Sequence, residues 1–205
     1  SFRVDRTAPT IAIAAPLNNV VYGQAFGKTA GSADGSAADI FLSSVQYKLD
    51  SGDYKDASGM TAWSANIGWA SLAQGSQHTL YVMAKDLGGH TTISSVAFTK
   101  DSTAPTASFT NLSADAVLQD ATPRAFGSFS DATGVDKWAY RLEKGTWNGG
   151  AWTYAPLADK DYANTTTTYT DLPRLKNPSW SADLPAADGR YKLTLKAWDS
   201  AMGAD

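Results

Sequence analysis

The segment Asp5-Arg6-Thr7-Ala8-Pro9-Thr10 returns 96 residues later as Asp101-Ser102-Thr103-Ala104-Pro105-Thr106. A chain that repeats at this interval is built from tandem units, each large enough to close a core of its own. The match runs backwards as well, since Phe2 pairs with Phe98. Four further anchors follow in the same order. Gly31-Ser32-Ala33-Asp34 aligns with Gly127-Ser128-Phe129-Ser130-Asp131, with one residue more in the second copy. Tyr47-Lys48-Leu49 aligns with Tyr140-Arg141-Leu142, and Trp63-Ser64-Ala65-Asn66-Ile67 with Trp180-Ser181-Ala182-Asp183-Leu184. Leu80-x-Val82-x-Ala84-x-Asp86 aligns with Leu193-x-Leu195-x-Ala197-x-Asp199. The anchors divide the chain into a first module, 5–100, and a second, 101–205, with 1–4 read as the tail of a preceding module. Between Leu142 and Trp180 the second copy carries about 24 residues more than the first. This insert, around 143–179, is expected to form a hairpin or long loop turning near Gly149-Gly150, with Trp147 and Trp152 on its arms. Only six residues follow Asp199, so the second module is expected to lack its last strand.

Within each unit the apolar residues alternate. Leu80, Val82 and Ala84 face one way, and Thr79, Tyr81, Met83 and Lys85 the other. Tyr191, Leu193, Leu195 and Ala197 repeat the pattern, and so do Val45-Gln46-Tyr47-Lys48-Leu49 and Trp138-Ala139-Tyr140-Arg141-Leu142. Period two means strands with one buried face. Asn18-Asn19, Asp50-Ser51-Gly52-Asp53, Gly88-Gly89 and Asp188-Gly189 supply turn chemistry between them. No window keeps helical spacing over three turns. The expected fold class is therefore all-β: two tandem antiparallel immunoglobulin-like β-sandwich modules. Asp188-Gly189-Arg190-Tyr191 has the form of a tyrosine corner, with His78 in the equivalent slot of the first unit, and Trp138 sits where such sandwiches often bury a tryptophan.

The Asp-x-Thr-Ala-Pro-Thr opening, the Gly-Ser-x-Asp turn, the Tyr-x-Leu strand, the Trp strand and the Ala-x-Asp turn together resemble bacterial Ig-like repeats. The resemblance covers nearly the whole chain apart from the insert. It implies modules strung in arrays in adhesins, surface stalks and secreted multidomain enzymes, with neighbouring Ig-like modules of the same chain as partners. Family members commonly finish the last turn with Asp-x-x-Gly-Asn; here it reads Asp86-Leu87-Gly88-Gly89-His90 and Asp199-Ser200-Ala201-Met202-Gly203. An extracellular setting, at a bacterial surface or secreted, fits this reading, and a cysteine-free all-β chain fits it too.

The net charge of −3, with acids and bases interspersed, presents no basic face for nucleic acid or anionic lipid. The apolar run Ile11 to Leu17 is too short to span a bilayer, so no membrane insertion is expected. The two histidines, His78 and His90, have no nucleophile in a recognisable context; they read as a half-buried strand residue and a solvated loop residue. No catalytic residue is assigned, and no enzyme is expected. Two non-catalytic leads remain. Trp147, Trp152 and Tyr154 of the insert, with Tyr162 and Tyr169 beyond, could stack on sugar rings of a glycan or a cell-surface ligand; cross-strand Trp pairs also simply brace hairpins. Asp5, Asp34 and Asp86 should converge at one end of the first module, and Asp101, Asp131 and Asp199 at the matching end of the second. Convergent carboxylates suit a hard cation such as Ca²⁺, while Asp is also a favoured turn residue. The leading expectation is a structural spacer; the alternative is a carbohydrate-binding accessory module of a secreted polysaccharide- or protein-degrading enzyme.

Overall fold

The computed structural model describes residues 2–23, 32–160 and 178–199. The chain divides into two compact units, Ser1–Ser102 and Thr103–Ser200. In the first, β1 (Thr10–Ala15), β3 (Ser32–Ala38) and β6 (Ala62–Asn66) form one sheet in the order β1-β3-β6. The facing sheet has the order β2-β8-β7-β4-β5, from β2 (Val20–Tyr22), β4 (Leu42–Leu49), β5 (Lys55–Asp56), β7 (Gln77–Asp86) and β8 (Thr91–Lys100). All pairings are antiparallel except β2 on β8, where Val20 lies opposite Phe98 in a parallel ladder. This is an immunoglobulin-like sandwich, in which the first edge strand changes sheets part-way.

Alternation explains the core. Along β7 the buried residues are His78, Leu80, Val82, Ala84 and Asp86, every second position. Leu80, Val82 and Ala84 are fully enclosed with Val45, Trp63 and Phe98. Tyr47 and Leu49 pack on this cluster from partly buried positions. The same period carries Asp86 onto the inward face at the strand's end, where an ionised group needs partners to be tolerated.

Among the described residues, the second unit repeats the plan with fewer strands. β9 (Thr106–Phe109), β10 (Arg124–Ser130) and β13 (Ser179–Asp183) form one sheet in the order β13-β10-β9. β11 (Val135–Trp147), β12 (Trp152–Lys160) and β14 (Tyr191–Asp199) form the other, in the order β12-β11-β14. Its core holds Ala125, Phe129, Val135, Trp180 and Ala182, with Trp138, Tyr140, Leu193, Leu195 and Ala197 packed against it. Leu142 is buried as well. Tyr191 is half-buried and donates its hydroxyl to the carbonyl of Ala187 at 3.0 Å, the bond of a tyrosine corner. Where the first unit has the two-residue β5 on β4, the second has the nine-residue β12 on β11. The hairpin turns at Asn148–Ala151, where the Asn148 side chain accepts from the amides of Gly150 and Ala151. Residues 161–177 of the expected insert, with Tyr162 and Tyr169, lie outside the described residues, as do residues 200–205.

The strand registers correct one of the sequence anchors. Thr10 pairs with Ala38, and Thr106 pairs with Ser130. Counting along the ladders places Gly35, not Gly31, opposite Trp63, just as Gly127 lies opposite Trp180. The equivalent of Asp131 is therefore Asp39, in Gly35-Ser36-Ala37-Ala38-Asp39 against Gly127-Ser128-Phe129-Ser130-Asp131. Both glycines are required by close approach. A Cβ on Gly35 would stand 2.0 Å from the Ala12 carbonyl oxygen, and one on Gly127 would stand 1.9 Å from that of Ser108.

Candidate functional site

Asp5 sits in the segment before β1, Asp86 at the end of β7, and His90 just before β8. Each offers one ligand atom, and these atoms lie within 4.8 Å of one another. The geometry follows from a tight connection. Asp86 Oδ1 accepts from the His90 backbone amide at 2.9 Å, and Asp86 Oδ2 lies 2.8 Å from His90 Nδ1. Gly89 provides the φ of +92° that lets the chain reverse within three residues. Asp86 has no exposed side-chain surface, whereas the His90 ring is 41% exposed, so the imidazole is the solvent-facing side of the group.

The electrostatics of Asp86 are a contest. Burial by itself raises its pKa. The His90 side-chain hydrogen bond, the His90 and Gly89 amides and the attraction of the His90 ring together outweigh it, and hold the carboxyl below its ordinary 3.8. Asp5 is less well served. Its Oδ1 accepts from the Thr7 amide and hydroxyl, both at 3.1 Å, while Oδ2 is buried and accepts no hydrogen bond.

Of the three aspartates expected to converge here, Asp5 and Asp86 do so and Asp34 does not. Asp34 pairs with Ala15, at the opposite end of β1 from Asp5. The misplacement follows from the corrected register, in which Gly35 replaces Gly31 and Asp39 replaces Asp34. Asp39, which takes the expected place after β3, accepts from the Phe41 amide at 2.7 Å. His90, the residue that completes the group, reads in sequence as a solvated loop histidine. The available signal was an Asp at a strand end, two glycines and a His four residues on, a spacing that lets the ring fold back on the carboxylate.

Of the second set, Asp101 is a residue of the first unit, and Asp131 and Asp199 are residues of the second. Asp101 is fully buried, donates its amide to the Tyr22 carbonyl at 2.9 Å and accepts from the Gln74 side chain. In the second unit Asp131 and Asp199 bring carboxylate oxygens within 4.8 Å of each other. Asp131 Oδ1 also organises its own turn, accepting from the amides of Thr133 and Gly134 at 2.9 and 2.8 Å.

At the hairpin tip Trp147 and Trp152 are directly cross-strand, with ring centroids 5.6 Å apart and planes inclined at 54°. Both are exposed, at 53% and 39%, but the pair is not a flat platform. The Arg190 guanidinium lies over Trp152 at 5.3 Å and the Lys192 ammonium over Tyr154 at 5.8 Å. Cations therefore occupy two of the faces expected to receive sugar, and Trp147 is the ring left most open. Below the tip, the second unit carries an open groove lined by Leu112, Val117, Tyr154, Pro185 and Arg190.

No family model matches the chain, and no curated protein matches it. Among solved structures it is similar to one on the promiscuous specificity of carbohydrate-binding modules from the β-sandwich superfamily, with 8% identity over 95% of this chain and 97% of that one, at a TM-score of 0.39. The human desmocollin-1 ectodomain is similar at 12% identity and a TM-score of 0.32, over 94% of this chain and 37% of that one. Among the described residues no helix is long and apolar enough to cross a membrane.

Proposed function

We propose that the chain is a non-catalytic structural spacer of an extracellular repeat protein, with each unit acting as one link. The observation that carries this reading is the repetition of one internal lock. In both units a glycine of the second sheet strand admits a tryptophan from its neighbour, Gly35 for Trp63 and Gly127 for Trp180. Repeating a packing device preserves a stiff link; it creates no chemistry at that place. Side-chain hydrogen bonds serve the same end. Asn18 accepts from the Ala97 amide, the Tyr22 hydroxyl accepts from the Leu17 amide at 2.8 Å, and Asn111 bridges Arg124 and Phe126. The test is replacement in the parent protein. Exchanging the two units for unrelated sandwich units of equal length should preserve function, while deleting them should abolish it. Loss of function on exchange would show that this surface, and not its length, matters.

A second reading keeps the hairpin tip as a glycan surface, on the strength of the exposed Trp147 ring. A glycan array with the wild-type chain and with Trp147→Ala tests it. Binding that disappears in the variant would establish this reading against the spacer.

A further inference from the structure

We propose that Asp5, Asp86 and His90 form a binding site for a first-row divalent transition-metal ion, with Zn²⁺ as the representative. The inference goes beyond the spacer reading and stands independently of it. Three observations converge. The potential ligand atoms of the three side chains lie within 4.8 Å of one another, so one ion can reach them together. Asp5 Oδ2 is buried and accepts no hydrogen bond, which is costly for a carboxylate oxygen unless a cation approaches it. Gly88 keeps space beside the group. Its φ does not call for glycine, yet a Cβ there would stand 3.2 Å from His90 Nδ1 and 3.3 Å from Asp86 Oδ1.

The donor set selects the metal. Ca²⁺ prefers six to eight oxygens and gains little from an imidazole. Two carboxylates and an imidazole are a borderline set, suited to Zn²⁺ and its first-row neighbours. The exposed His90 edge gives an entry path, and the buried Asp86 gives a fixed anchor. An ion held there would clip the segment before β1 to the β7–β8 connection. That closes a loop of about 80 residues, and such closures restrict the unfolded chain most when the loop is long.

The experiment is isothermal titration of the full chain with ZnCl₂ and, separately, CaCl₂, with thermal melts alongside. Zn²⁺ should bind with one equivalent per chain at this group and raise a melting transition that CaCl₂ at the same concentration leaves in place. Asp5→Asn and His90→Gln should each weaken Zn²⁺ binding at least tenfold, while His78→Gln should not. A reading without variants comes from the rings themselves, since the chain has only 2 histidines. Co²⁺ should shift the NMR signals of one imidazole and spare the other. Zn²⁺ affinity unchanged in both site variants, a Ca²⁺ response as large as that to Zn²⁺, or cobalt shifts on His78 would each overturn the proposal.

Discussion

The indole N–H of Trp180 donates to the Ser108 carbonyl at 3.1 Å, reaching across the strand that carries Gly127. Trp63 lies over Gly35 in the same way, but its Nε1 is buried and donates to no acceptor. The two locks therefore differ in one bond. Trp180→Phe should cost about 1 kcal/mol more than Trp63→Phe, because only the former loses a satisfied hydrogen bond. Truncation to Ala at either position should cost ~3–5 kcal/mol. Gly35→Ala and Gly127→Ala should be comparably damaging, since the new methyl meets backbone oxygen and not a flexible side-chain end. Urea titrations of the six variants measure all of these.

At the tyrosine corner, Tyr191→Phe removes the bond to Ala187 and leaves the ring in place. The expected loss is about 1 kcal/mol, again by denaturant titration.

The strands were legible because period two is a strong signal where one face is buried. β4, β7, β11 and β14 all show it in their apolar residues. The slip at Asp34 has a plain cause. The sequence Gly31-Ser32-Ala33-Asp34-Gly35-Ser36-Ala37-Ala38-Asp39 contains the Gly-Ser-Ala motif twice, and only the clash that any Cβ at position 35 would meet tells which glycine is required. That information is in three dimensions and absent from the pattern. β2 was not legible, because three residues, Val20–Tyr22, are too few to show a period, and its parallel partner lies more than 70 residues away. His90 was missed because a histidine after two glycines looks solvated until the turn folds it onto Asp86.

Acid should act on Asp86. Its pKa is lowered in the folded state, so the unfolded chain binds the proton more readily. The stabilisation is fully present above the ordinary carboxylate pKa and is lost as pH falls through the lower folded value. With chelator present, melting temperatures of the wild-type should drop across that acidic window. Asp86→Asn should remove this part of the drop, leaving a flatter profile.

The hairpin tip is exposed, and stability should feel it little. Trp147→Ala should change unfolding free energy by no more than about 0.5–1 kcal/mol, the range of a surface position with one cross-strand partner. Thermal denaturation of the variant checks this, and makes it a clean probe for the glycan array.

The central claim, that each unit is an independent stiff link, is tested most directly by pulling the full chain end to end in a single-molecule force experiment. Two separate all-or-none unfolding events are expected, each releasing a length set by roughly 3.3–3.6 Å per residue of its unit, with refolding on relaxation. A single event for the whole chain, or gradual extension at low force with no distinct steps, would contradict it.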